Sequence, residues 1–398
     1  MLASMCQLQA LEQMAPGRSL ENVTIGATSG GIIGTSLYHT AGPQLGFPPS
    51  WMPSELGSDA HLKLKERYGP VWMGAIVDVL QPLFADSEPL AKRESRNWWT
   101  ETLAIAARLY GTKGSSLVMP KNLVATVTLV RESIAPLRRD QFGVVLNATT
   151  NLLAAEIHGV DGMLRVVGES SQVVPPLDLS GDTITATAYG TSFWAAPILE
   201  SQLAFESLKR LLPVPYHGFL PMDGGTLDST GLAALVRRKA THIVAFYNDA
   251  IDLHAYSAQL GFVFGMSERT TPLSMWEGPE LGQLFDAKWW DVVRANLSDP
   301  YRGVVRLTNL SVRPNPFLGI EGNYMIKSLV ILATQWSEPF MRAFDDVDPD
   351  VRQALHTGWP EAQPLAGMDP LNANALCVLS GWRVQKNEQL VREVLGWK

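Results

Sequence analysis

The stretch from Val23 to Tyr38 constrains this chain more than any other. Val23-Thr24-Ile25 reads as a short buried strand, Gly26-Ala27-Thr28-Ser29-Gly30-Gly31 follows at once, and the apolar run to Tyr38 suits a helix. Small residues on both sides of Ser29 permit a strand-to-helix turn too tight for bulky side chains. A serine in such a turn presents its hydroxyl at the N-terminal end of a helix, where unpaired N–H groups favour developing negative charge. Ser29 is therefore a candidate nucleophile. The strict Gly-x-Ser-x-Gly pattern is not met, because Ala27 holds its first position. The competing reading is a glycine-rich turn without chemistry.

Around this turn the chain alternates strand and helix patterns. Leu2, Met5, Leu8 and Leu11 recur every three residues and predict a helix over 1–13. Phe142–Asn147 and Ile184–Ala188 read as strands, Pro197–Leu212 as a helix, Gly231–Lys239 as a helix and His242–Tyr247 as a buried strand. The alternation predicts an α/β fold with a mainly parallel central sheet. Residues 42–139 are rich in Pro and Trp and carry helical patterns at Val71–Phe84 and Asn97–Tyr110; they read as a cap-like insertion. The expected division is a catalytic core over 1–260 and a C-terminal extension over 261–398 packed on it.

The glycine turn also looks like the dinucleotide turn of short-chain dehydrogenases. Those enzymes need a Tyr-x-x-x-Lys pair, and none of the nine tyrosines has Lys four residues on. No acidic residue closes a following strand either. An oxidoreductase of that kind is the third reading, and a phosphate-binding P-loop fails because no Gly-Lys-Ser/Thr follows.

Asp223 is the second candidate. Asp223-Gly224-Gly225 sets a carboxylate at the end of the apolar approach His217–Met222, with two residues that permit close backbone contact. An ordinary Asp-Gly turn is the alternative. Of the seven histidines, His254 and His356 are the only formal options after Asp223 for the late loop that a Ser…Asp…His triad needs, and neither sits in a recognisable motif. No metal-ligand spacing of histidines occurs, and Asp345-Asp346-Val347-Asp348-Pro349-Asp350 lacks the Gly and Glu of a calcium loop, so it reads as a solvated turn.

With 398 residues, 46% hydrophobic, the chain can bury a large core and is not disordered. A net charge of −7 argues against binding nucleic acid by phosphate neutralisation. Cys6 and Cys377 are too few for a disulfide framework or a cysteine zinc site. Trp98-Trp99 and Trp289-Trp290 suit core packing or a membrane interface, and Arg237-Arg238-Lys239 suits a solvated helix face or lipid phosphates. Asn22, Asn147, Asn296 and Asn309 begin Asn-x-Ser/Thr sequons, which matter only in a form that enters the secretory route.

Taken together, the motif order resembles the patatin-like and cytosolic phospholipase A2 group of lipid acyl hydrolases, fungal lysophospholipases included. The resemblance rests on Ser29-Gly30-Gly31 with Ser36-Leu37-Tyr38, on Tyr189–Pro197, on Met222-Asp223-Gly224-Gly225, on Arg237–Asn248, and on the helix at Met1–Leu11. It covers roughly residues 1–250 and implies a three-layer patatin-like fold. It also implies a Ser–Asp dyad that needs no histidine: Ser29 as nucleophile, Asp223 as base, and Gly30, Gly31, Gly224 and Gly225 beside the oxyanion. The implied substrate is a phospholipid or lysophospholipid at a membrane or micelle surface, with no cofactor, no metal and no nucleic acid, in a cytoplasmic or peripheral-membrane protein. The family's glycine-rich oxyanion loop and first strand would lie upstream of Met1. The alternative is an impaired homologue that binds lipid or serves as a scaffold.

Overall fold

The computed structural model describes residues 2–15, 20–41, 52–66, 117–131, 152–168, 174–191, 217–228, 230–248, 259–265, 282–355 and 370–397. Six strands form the larger sheet: β1 (Ile25–Ala27), β2 (Leu123–Arg131), β3 (Leu152–His158), β4 (Met163–Val166), β5 (Leu177–Asp178) and β6 (Phe219–Asp223). They run in the order β1-β2-β3-β4-β5, with β6 also paired to β2. A second sheet holds β7 (His242–Tyr247), β8 (Val304–Ser311) and β9 (Met325–Ala333) in the order β7-β9-β8. The helices that matter below are α1 (Leu2–Met14), α2 (Gly30–Ala41), α3 (Thr183–Gly190), α4 (Leu232–Arg237) and α5 (Pro370–Lys386).

β2 organises the larger sheet. Its sequence, Leu-Val-Ala-Thr-Val-Thr-Leu-Val-Arg, offers side chains to both faces, and every residue but Arg131 is buried. One face, with Leu123, Ala125, Val127 and Leu129, packs with Ile32 of α2 and with Ala186 and Tyr189 of α3. On the other face Val130 joins Ala154, Leu220 and Met222 in a core shared with Ile243, Leu307 and Ile331 of the smaller sheet. Truncating Leu129 to Ala would empty a fully buried site, at a cost of roughly 2–5 kcal/mol. Beyond the smaller sheet, Val330 and Leu332 of β9 meet Met5, Cys6 and Leu8 of α1 and Leu379 and Trp382 of α5. The chain is thus a mixed α/β protein.

Four expectations need correction. Among the described strands only β1–β2 and β7–β9 pair in parallel; the other five pairings are antiparallel, so the sheet is not mainly parallel. Local connections account for part of this, since β3 returns as β4 through a tight turn closed by Gly162 N–H to His158 O at 2.7 Å. Ile184–Ala188 is helical: Asp182 caps α3 by accepting from Thr185 N at 2.9 Å, and that cap outweighs the strand preference of Thr and Ile. Residues 123–131 fall within the stretch read as a cap, yet they form a strand buried on both faces, which a surface insertion cannot supply. β8 and β9 complete a sheet with β7, so residues beyond 261 are built into the fold rather than added to it. The patterns at Val71–Phe84, Asn97–Tyr110, Phe142–Asn147 and Pro197–Leu212 lie outside the described residues, as does most of the predicted cap.

α1, α2, α4 and β7 form close to where their patterns place them. Cys6 and Cys377, too few for a framework, are joined in one disulfide between α1 and α5. No helix among the described residues is long and apolar enough to cross a membrane.

Candidate active site

β1 and β6 share one edge of β2. β1 runs parallel to it and ends with Ala27 opposite Ala125. β6 approaches antiparallel from the other end and stops with Asp223 opposite Val127. The C-terminal ends of both strands therefore converge beside Thr126. Its hydroxyl donates to Ala27 O at 3.3 Å, tying β1 to the junction. Gly224 passes so close to Thr126 that a Cβ there would overlap the threonine's carbonyl and hydroxyl oxygens. Glycine is what lets β6 end at this point. On the far side, Gly26 and Gly231 cross backbone to backbone with no room for a Cβ, which fixes the start of α4 over β1.

Ser29 follows β1 directly. Its φ of 50° is left-handed, a conformation that costs a non-glycine residue on the order of 1–3 kcal/mol. The turn is closed by Gly31 N–H to Thr28 O at 2.8 Å and Ile32 N–H to Ser29 O at 2.9 Å, and α2 leaves from it. This is the strained strand–turn–helix geometry that aims a nucleophile out of its backbone.

Asp223 is 7% exposed. Its Oδ1 accepts from Gly225 N at 2.7 Å. Burial pushes its pKa up to about 6, against the opposing effect of hydrogen bonding from the Ser29 hydroxyl and the Gly225 N–H. Oδ2 is buried and has no hydrogen-bond partner, while the Ser29 hydroxyl is near enough to the carboxyl to oppose the effect of burial. Catalytic hydrogen bonds are commonly loose until substrate binds. Asp228, five residues on, is the instructive contrast. It is equally buried and its pKa is also raised by burial, but its oxygens accept from Thr230 N at 3.0 Å, Thr230 Oγ1 at 2.6 Å and Ala233 N at 2.9 Å. Asp228 is a satisfied structural carboxylate, whereas Asp223 leaves Oδ2 buried without a hydrogen-bond partner.

The four glycines beside the site divide by use. Gly31 N–H is spent on Thr28 O, Gly225 N–H on Asp223 Oδ1 and Gly224 N–H on Gly190 O at 3.3 Å. Gly30 opens α2, where helix geometry leaves the first N–H groups without intrahelical acceptors. Gly30 is thus the glycine at the open start of α2, next to Ser29.

The remaining candidates are committed elsewhere. The interactions on Asp223 include no histidine among the described residues, and His254 and His356 lie outside them. Arg237 and Arg238 grip Glu156, with Nη1 of Arg237 at 2.5 Å from Oε1 and Nη2 of Arg238 at 3.2 Å from Oε2. Burial raises the Glu156 pKa, but the His158 hydrogen bond and the two guanidiniums outweigh it and hold the carboxyl low. Lys239 pairs with Glu321. Trp290 is buried and Trp289 packs partly against the shared core, while Trp98-Trp99 falls outside the described residues. The acidic run is not simply solvated: Asp348 is buried, and its Oδ2 accepts from His61 N and meets His61 Nδ1, both at 2.8 Å. Its Oδ1 accepts from Asp350 N at 3.2 Å, so this carboxylate caps the helix at Pro349–Leu355.

Thr126 had no signal in the sequence, and Gly190 had only its place in the Tyr189–Pro197 segment. A threonine within a β-strand run, or a glycine at a helix end, becomes informative only when the register is known. Comparison with known protein families, with curated proteins and with solved structures finds no match to this chain.

Proposed function

We propose that this chain is a serine ester hydrolase that works through a Ser29–Asp223 dyad, acting on the acyl esters of phospholipids or lysophospholipids. The observation that carries the reading is the convergence of β1 and β6 beside Thr126, which brings a strained serine to a buried carboxylate with an unsatisfied oxygen. The lipid substrate class and a patatin-like fold rest on the resemblance of the motifs, not on a measured relative. In this mechanism Ser29 Oγ attacks the ester carbonyl as its proton passes to Asp223 Oδ2. The carbonyl oxygen becomes an oxyanion facing the Gly30 N–H and the start of α2. Collapse expels the alcohol, which takes the proton from Asp223, and leaves an acyl-serine. Asp223 then takes a proton from a water as that water attacks the acyl carbon; the C–Oγ bond breaks, Asp223 returns the proton to Ser29 Oγ, and the fatty acid leaves.

A second reading, a lipid-binding homologue without turnover, is favoured by one observation: three of the four nearby glycine N–H groups are already used. Each missing oxyanion donor costs about 10²–10³ in rate. A fluorophosphonate probe separates the two readings, because it needs only an activated serine. Labelling of the wild type that disappears in Ser29→Ala and fades in Asp223→Asn supports the hydrolase. No labelling at all supports the silent homologue, and labelling that survives Ser29→Ala moves the nucleophile elsewhere. Release of fatty acid from lysophosphatidylcholine micelles then tests the substrate class.

A further inference from the structure

Only two cysteines exist in the chain, and the fold brings them into one bond between its first helix and its last long helix. Cys6 is 0% exposed and Cys377 is 2% exposed, both within the apolar cluster of α1, α5 and β9. Sulfurs so enclosed are not placed to react with small oxidants or with a partner thiol, so the bond is structural and not a redox sensor. Structural disulfides belong to oxidising compartments, since the thiol pools of reducing ones keep cysteines free.

One such compartment, the lumen of the endoplasmic reticulum, also holds the enzymes that glycosylate Asn-x-Ser/Thr, and the structure sorts the sequons by what a glycan would meet. Asn22 and Thr24 are both exposed at the entry to β1. Asn309 and Ser311 are both exposed on β8, an edge strand, where Asn309 has a φ of 53°. Asn296 is half-buried and engaged at both ends of its amide: Nδ2 donates to Val292 O at 2.8 Å, and Oδ1 accepts from Arg302 Nη1 at 2.9 Å. A glycan on its nitrogen would replace one of the two Nδ2 hydrogens and crowd a side chain held between Val292 and Arg302, whereas at Asn22 and Asn309 it would extend into solvent. Asn147 lies outside the described residues.

We infer that this chain matures in an oxidising compartment, where Cys6 and Cys377 are joined and Asn22 and Asn309 receive N-linked glycans. The two thiols give up two protons and two electrons to a disulfide donor of that compartment. At each asparagine, Nδ2 forms a bond to the anomeric carbon of a polyprenyl-pyrophosphate-linked oligosaccharide; the lipid pyrophosphate leaves and the amide loses one proton. The inference is independent of the hydrolase reading.

The test uses the chain purified from its own source, with iodoacetamide present from the moment of lysis. A non-reducing peptide map should contain the Cys6 and Cys377 peptides joined, without alkylated forms. Peptide N-glycanase digestion in heavy-oxygen water should convert Asn22 and Asn309 to labelled Asp and leave Asn296 as Asn. Alkylated Cys6 and Cys377 would overturn the compartment. Unlabelled Asn22 and Asn309 beside an intact disulfide would overturn the glycan assignment, and label at Asn296 in place of the exposed pair would overturn the use of exposure to choose among sequons.

Discussion

Ser29 meets Asp223 because the strands that carry them end from opposite directions beside one residue, Thr126, of a third strand. Each strand contributes what the other lacks. β1 delivers a hydroxyl on a strained turn, and β6 delivers a buried carboxylate held by Gly225 on one oxygen only. The junction leaves no slack, since Gly224 already touches Thr126 backbone.

The pH dependence follows from the Asp223 pKa of about 6. A base must be ionised to accept the serine proton, so kcat/KM should fall about tenfold per pH unit below pH 6 and level off above it. A profile measured with a non-ionising short-chain ester checks this. An inflection near the ordinary carboxylate value of 3.8 would mean that the carboxyl is not buried as described.

Asp223→Asn should abolish turnover and yet stabilise the fold at neutral pH. The folded pKa lies above the unfolded value of 3.8, so the stability present below pH 3.8 is lost as the pH rises through 6. Above that, the ionised wild type carries a cost of up to about 3 kcal/mol that the neutral amide avoids. Urea unfolding at pH 8 should show the variant more stable, and the gap should shrink at pH 4. A variant less stable than wild type at both values would contradict the raised pKa.

Backbone strain at Ser29 makes a separable prediction. Ser29→Ala and Ser29→Gly both remove the nucleophile and should lose about 10⁴–10⁶ in kcat. Only glycine relieves the left-handed φ, so Ser29→Gly should exceed Ser29→Ala in stability by about 1 kcal/mol. Equal unfolding midpoints would show that the turn is not strained.

Gly224→Ala tests the junction itself. Its Cβ would collide with Thr126, so β6 must shift and carry Asp223 with it. A misplacement on the order of 1 Å is enough to cost about 10² in kcat. Gly181→Ala, where a Cβ meets nothing within 4 Å, should leave rate and stability unchanged. Full activity in Gly224→Ala would remove the geometric basis of the dyad.

The local pieces were legible along the chain. Apolar spacing marks α1, the run His242–Tyr247 marks β7, and small residues around Ser29 mark a strand–helix turn. These depend on interactions within a few residues, so the chain carries them wherever it folds. Asp223-Gly224-Gly225 likewise announced a close backbone approach, but not what it approaches. The long-range relations came from the folded arrangement. The sequence could not show that Leu123–Arg131 is the shared partner of β1 and β6, because pairing depends on register between distant segments. Nor could it show that Cys6 faces Cys377, or that Asp182 turns Ile184–Ala188 into a helix against its strand preference. Asp223 and Asp228 are alike in sequence, each an aspartate close to glycine, and only packing tells them apart. Three donors satisfy Asp228, while one oxygen of Asp223 is left buried and without a fully formed partner beside Ser29.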